Sequence, residues 1–351
     1  MAYVARLKAL VQHLLPNGRM DPLEPSSFHQ RDIKLANGRQ YHICDEQPHG
    51  YQHGTTPVLL LIHGFPEFWY EWRYQIGPFV RRGWRVIVPD TLGYGQTDKP
   101  DDRSLYTPLA TAAEMASLLD ALDVKQPVVI VGHDWGSAAA WAFATRYRER
   151  ARALVTLSIP YVPPLNQQQT VSSTVTSNPN LFGYWQYFTS PEGPKEIQAN
   201  LPRFFDAMYR SNKTQVNFTS LGACKKLMKG ETKIAGPTDV MSERERAFYI
   251  DTFERGGIDA PINYYRSADC RYEQEQALKL NPVLPTSMPI LFIATKEPFC
   301  TPKRIEATRP FVPSMEVARL TSNHFVMLEK RDEITQIIGD WVENKLKATS
   351  A

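Results

Sequence analysis

Cysteine is scarce and scattered in this 351-residue chain. Cys44, Cys224, Cys270 and Cys300 lie far apart with no CxxC pair. This argues against a disulfide framework or a cysteine metal centre, and for free thiols in a reducing compartment, the cytoplasm. Charge of one sign is also lacking: 40 Lys and Arg stand against 37 Asp and Glu, net +3, spread along the chain. With no basic patch, nothing points to nucleic acid. No apolar run approaches the ~20 residues that a membrane span needs. The nearest candidate sets Val4, Leu7, Leu10, Val11, Leu14 and Leu15 at helical spacing, but Arg6 and Lys8 interrupt it and Pro16-Asn17-Gly18 stops it. It lacks the core and cleavage pattern of a signal peptide, and the closing Ala-Thr-Ser-Ala is not a peroxisomal Ser-Lys-Leu. The expectation is an amphipathic helix lying on the protein's own surface, with peripheral membrane contact or a homodimer contact as its alternatives. No internal repeat is present. The remainder, 42% hydrophobic and 22% charged, suits a globular protein with one large domain and an insertion.

The chain's order of elements points to an α/β architecture. Asp32-Ile33-Lys34-Leu35 and Gln40-Tyr41-His42-Ile43 flank Ala36-Asn37-Gly38, an Asn-Gly turn that joins a hairpin. Val58-Leu59-Leu60-Leu61-Ile62, Arg85-Val86-Ile87-Val88 and Pro127-Val128-Val129-Ile130-Val131 are continuously apolar, as parallel strands covered on both faces are. A helical period runs from Thr107 to Leu122, and Ala153-Leu154-Val155-Thr156-Leu157 continues the sheet. Residues 161 to 285 break the pattern with aromatic-rich helical stretches. Strands resume at Pro289-Ile290-Leu291-Phe292-Ile293-Ala294 and at Met315-Glu316-Val317-Ala318-Arg319-Leu320, and a helix from about Asp332 follows. The expected division is an N-terminal extension over 1–27, a core over 28–160 and 286–351, and a mainly helical cap over 161–285. Ligands of such a domain bind above the carboxyl ends of its strands.

One of those ends carries chemistry. Gly132-His133-Asp134-Trp135-Gly136 places a carboxylate between two small residues where the chain turns sharply from strand to helix. With an ordinary pKa near 3.9, an aspartate is ionised at neutral pH and attacks an electrophilic carbon without a base. The product is an ester on the protein, so a base is needed afterwards, to activate water. A buried aspartate that merely caps the following helix is the bland alternative.

The partners fall where this architecture puts them. His63-Gly64-Phe65-Pro66 follows the third strand, and the backbone N–H groups of Phe65 and Trp135 are the candidate oxyanion hole. Of the eight histidines, only His324, directly after the eighth strand, stands where chain order requires the base. The acid after the seventh strand is Glu297, the only carboxylate in Ala294-Thr295-Lys296-Glu297-Pro298-Phe299-Cys300.

With these residues in view, the chain resembles a soluble epoxide hydrolase of the α/β-hydrolase fold, from about residue 28 to 347. His63-Gly64-Phe65-Pro66-Glu67-Phe68-Trp69-Tyr70-Glu71-Trp72-Arg73 resembles that family's oxyanion loop. Pro89-Asp90-Thr91-Leu92-Gly93-Tyr94-Gly95 begins its next loop, and Gly132 to Gly136 is its nucleophile motif. The resemblance implies a mostly parallel eight-stranded sheet with an inserted helical cap. It also implies two cap tyrosines over the nucleophile, which hold and protonate the epoxide oxygen. Tyr184-Trp185-Gln186-Tyr187-Phe188 and Pro261-Ile262-Asn263-Tyr264-Tyr265-Arg266 resemble the segments that carry them. Tyr187 and Tyr265 are the expected pair, with Tyr184 and Tyr264 as their neighbouring alternatives. One departure stands out, because the family usually has aspartate at the acid position. Counting from the strand puts Pro298 there, whereas counting back from Pro302 puts Glu297 there. The implied partners are a small-molecule epoxide and water, with no metal or organic cofactor. Three alternatives stay open: a haloalkane dehalogenase, an enzyme for complex natural-product epoxides, and a non-catalytic binder of apolar ligands. Phe65, where dehalogenases commonly carry a halide-binding asparagine, favours the epoxide.

Overall fold

In the computed structural model, residues 20–348 are described; the helix expected over residues 4–15 lies outside them. Eight strands form one sheet: β1 (Gln30–Lys34), β2 (Gln40–Glu46), β3 (Val58–Ile62), β4 (Arg85–Pro89), β5 (Val128–His133), β6 (Ala151–Leu157), β7 (Ile290–Ala294) and β8 (Met315–Arg319). Their order is β1-β2-β4-β3-β5-β6-β7-β8. β1 and β2 pair antiparallel in the expected hairpin, with Gly38 at φ 88° in its turn. β2 also runs antiparallel to β4, and every remaining pair is parallel. The parallel strands β3, β4, β5 and β7 are buried along their whole length. Such runs cannot face water on either side, so they occupy the sheet's interior under helices.

The helices on the faces start where the sequence provides caps. Helix Pro108–Ala121 begins with proline in its first turn, and the Thr107 side chain accepts from the Ala110 N–H. It packs on helix Trp135–Arg146, while Arg73–Arg81 packs on the closing helix Arg331–Ala348. Between β6 and β7 lie helices alone, from Val171–Ser177 to Ala268–Leu278. Buried polar contacts tie this stretch to the sheet side. Arg73 Nε donates to Glu245 Oε1 at 2.7 Å, and Tyr249 Oη donates to Glu71 Oε2 at 2.5 Å. Glu245 also completes a capping box with Ser242, so one carboxylate both starts helix Glu243–Gly256 and anchors it. No helix among the described residues is long and apolar enough to cross a membrane.

The topology brings the functional loops together. β5 lies between β3 and β6, with Gly132 in register with Ile62 and Thr156. The loop that starts at His63 and the turn at Asp134 therefore leave neighbouring strands at the same edge. β7 and β8 deliver Glu297 and His324 to that edge.

Candidate active site

Asp134 sits at φ 51°, ψ −119°, backbone that costs a residue with a β-carbon on the order of 1–3 kcal/mol. The turn is possible because its neighbours are small. A β-carbon on Gly132 would strike the Gly136 backbone, one on Gly136 the carbonyls of Ile62 and His63, and one on Gly64 the Asp134 side chain. Below the turn, Ser137 Oγ donates to the Gly132 carbonyl at 2.7 Å and accepts from the Leu157 N–H at 3.1 Å. The Asp134 side chain makes no capping hydrogen bond to the helix that follows, so the helix-cap alternative does not describe it.

Phe65 N–H donates to Asp134 Oδ1 at 3.0 Å. Its loop is held from behind by His63, whose Nδ1–H donates to the Gly64 carbonyl and whose Nε2 accepts from the Thr91 N–H, both at 2.9 Å. Burial brings His63 down to about 3, so its ring stays neutral. Trp135, the other expected donor, is the first residue of helix Trp135–Arg146.

His324 presents Nε2 to Asp134 Oδ2 at 3.6 Å and Nδ1 to Glu297 Oε1 at 2.7 Å. The other Glu297 oxygen accepts from Thr295 Oγ1 at 2.7 Å. Burial alone would lower His324, but the adjacent Glu297 carboxylate and, less strongly, Asp134 raise it to about 10. Burial would raise Glu297; the charge and hydrogen bond of His324 and the Thr295 hydroxyl outweigh it and bring its carboxyl below the ordinary range. Glu297 lies just ahead of the short turn Pro298–Cys300, so its longer side chain spans from that turn to the imidazole.

The tyrosines differ from expectation at one position. Tyr265 packs edge-on against Phe65 and Trp135, with ring centroids 5.1 and 5.2 Å away. Its partner is Tyr184, whose ring lies 5.8 Å away at 80°. Burial raises both phenols, and the Asp134 charge raises them further. Tyr187 is elsewhere: its hydroxyl donates to Glu196 Oε2 at 2.7 Å. The cause is helix phase. Within Pro179–Phe188, Tyr184 shares a face with Phe188, which packs on Phe65 and Tyr265, whereas Tyr187 is turned toward helix Gly193–Gln198. Tyr264 packs between Tyr94 and Tyr106 and against the Trp135 ring, 5.9 Å away.

Asp134 and Trp135 open into a cavity of about 440 Å³ that Tyr184, Trp185, Phe182 and Phe299 also line. A larger groove of about 700 Å³, lined by Val58, Pro127, Ala151 and Met288, lies at the strands' opposite end and holds none of these groups. Concavity there has no chemistry beside it, so the smaller cavity is the candidate site.

Asp134 and Tyr184 line this cavity, with the His324–Glu297 pair beside Asp134 and Tyr265 beside Tyr184. The family model for the alpha/beta hydrolase fold matches residues 57–331. Epoxide hydrolase 3 of Siraitia grosvenorii is 32% identical over 68% of this chain and 72% of its own length. The chain belongs to the epoxide hydrolases of the α/β-hydrolase fold. Bifunctional epoxide hydrolase 2 of Mus musculus is 28% identical over 94% of this chain, which spans 58% of that relative's length. Among solved structures, a laboratory-evolved variant of potato epoxide hydrolase superposes with TM-score 0.76 at 26% identity, over 90% of this chain and 99% of that one.

Two residues in the family's motifs carried no assignment from sequence. Glu67 Oε1 lies 2.6 Å from His133 Nδ1, and both side chains are wholly buried. His133 Nε2 is 3.0 Å from the His324 carbonyl and must donate to it; Nδ1 then accepts, and the proton of the short contact belongs to Glu67. Burial, followed by the Asp134 charge, pushes the Glu67 carboxyl well above its usual range, and burial brings His133 down to about 4. Both shifts favour this neutral pair. Glu67 Oε2 also accepts from the Gly64 N–H at 2.5 Å, which ties the pair to the oxyanion loop. The available signal was a carboxylate set among Phe65, Phe68 and Trp69, since a charge in an apolar loop needs a partner. Glu67, His133 and His324 also bring ligand atoms within 4.8 Å of one another, but these internal contacts already engage them.

Proposed function

We propose that this protein hydrolyses apolar epoxides to vicinal diols through an ester on Asp134. The observation that carries the proposal is the pair of phenols, Tyr184 and Tyr265, set over a carboxylate whose Oδ1 the Phe65 N–H already holds. Oδ2 is the freer oxygen. It attacks one ring carbon, the carbon–oxygen bond of the ring breaks, and the departing oxygen takes a proton from a tyrosine. Both phenols are raised by burial, so they begin the reaction protonated. A halide leaving group would have no use for them, which favours the epoxide over the haloalkane.

Ester formation then changes the electrostatics. Asp134 loses the negative charge that helps keep His324 protonated, so the imidazole releases its proton more readily at the stage where a base is needed. The tyrosinate formed in the first step is a suitable acceptor. Neutral His324, oriented by Glu297, takes a proton from water, and the resulting hydroxide attacks the Asp134 carbonyl carbon. The N–H groups of Phe65 and Trp135 stabilise the oxyanion. As the ester breaks, the proton on His324 goes to the product oxygen and the Asp134 carboxyl is released to ionise. Glu297 replaces the usual aspartate, and the helices between β6 and β7 serve as the lid. The free cysteines suit a cytoplasmic setting.

The test is single turnover in ¹⁸O-labelled water with excess protein over styrene oxide. Label is expected in the Asp134 carboxylate. Labelled diol with an unlabelled protein would remove the ester from the mechanism.

A further inference from the structure

We infer that the site selects epoxides that carry a substituent on one ring carbon only, a terminal ring at the end of a single arm; this rests on the hydrolase function proposed above. One arm of open space leads away from Asp134. The cavity leads from Asp134 past Trp135 and along helix Trp135–Arg146 at Ala138 and Ala142, then beneath the loop that carries Tyr161. On the other flank, Phe65, Phe188 and Phe204 are 1%, 0% and 0% exposed. Their rings interlock, with centroids 5.1 Å apart for Phe65 and Phe188 and 6.2 Å for each of them with Phe204. The plug presses on the phenol side of the site, because Phe65 and Phe188 lie 5.1 and 5.2 Å from the Tyr265 ring. None of the three aromatic side chains lines the cavity.

The chemistry converts this asymmetry into selection. Tyr184 and Tyr265 hold the ring oxygen and Asp134 lies under one carbon, so the plane of the three-membered ring has little freedom to turn. Substituents on its two carbons diverge. One of them enters the cavity, and the other meets Phe65 and Phe188. Close-packed rings without neighbouring void yield only by leaving their rotamers, so hydrogen is the substituent that fits on that side.

The experiment compares the terminal epoxide of a twelve-carbon alkane with its isomer bearing the ring at mid-chain, so that hydrophobicity and size are matched. The terminal isomer is expected to have the higher kcat/KM by on the order of tenfold or more, the range over which apolar pockets discriminate by a few carbons. Phe188→Leu and, independently, Phe204→Leu are expected to narrow that ratio. It is taken within one preparation and does not depend on how much protein folds. Equal or faster turnover of the mid-chain isomer by the wild type overturns the inference and leaves the hydrolase function standing. A ratio unchanged in both variants overturns the role of the aromatic plug. Failure to turn over either isomer and styrene oxide overturns the hydrolase function, and the inference with it.

Discussion

The exchange of Tyr184 for Tyr187 gives the sharpest test of how this site works. Tyr184→Phe removes one of two donors to the oxygen that departs from carbon, while Tyr265 stays in place. Loss of one preorganised donor at a developing oxyanion costs on the order of 10²–10³ in rate, about 3–4 kcal/mol, and the deficit falls on ester formation. Tyr187→Phe removes a hydrogen bond of 2.7 Å to the Glu196 carboxylate. Hydrogen bonds to charged groups contribute ~1.5–3 kcal/mol to stability, so this variant melts a few degrees lower and forms ester at the wild-type rate. Trp135 and Trp185 stand 5.2 Å from Tyr265, so single-turnover tryptophan fluorescence follows that step directly, with calorimetry run alongside. The reasoning is refuted if Tyr187→Phe slows ester formation a hundredfold while Tyr184→Phe leaves it intact.

The other predictions concern the base, its acid and pH. His324→Gln accumulates the ester without releasing diol, which mass spectrometry of the intact protein detects; rapid diol release would assign the base elsewhere. Glu297→Asp retracts the carboxylate by about one carbon–carbon bond, ~1.5 Å, from a contact of 2.7 Å. Diol release is therefore expected to slow while ester formation persists, and a variant as fast as wild type would show that reach does not matter. His324 is raised from 6.5 to about 10, so its contribution to stability is complete below about pH 6.5 and lost as pH rises toward 10. Glu297 is shifted down, and its contribution is lost on the acid side, as pH falls below the ordinary carboxylate range. Thermal denaturation of His324→Gln across that alkaline window is expected to be flatter than that of the wild type; parallel curves would assign the alkaline loss to other groups.

The elbow was legible in sequence because sterics leave few solutions. Two glycines around a strand-to-helix turn announce a residue that has to be lifted, and chain order then picks His324 out of eight histidines. Glu297 was legible for a similar reason, since Pro298 cannot orient an imidazole. The tyrosines were not. Tyr184 and Tyr187 both sit in an aromatic stretch of helix Pro179–Phe188, and which one faces Asp134 depends on the helix's rotation about its axis. Packing of Phe188 against Phe65 sets that rotation, and local periodicity carries no information on it. Nor was the neutral pair of Glu67 and His133 legible. Each residue stands inside a motif, but the contact between them exists only because β3 and β5 are neighbours.

The left-handed backbone at Asp134 bears on how the protein could be engineered. Strain is held in the folded state, so Asp134→Gly relieves it and raises the melting temperature while abolishing turnover. Selection of a variant library for heat resistance alone would therefore enrich inactive molecules at this position. An evolutionary search that keeps the enzyme has to score diol and temperature together.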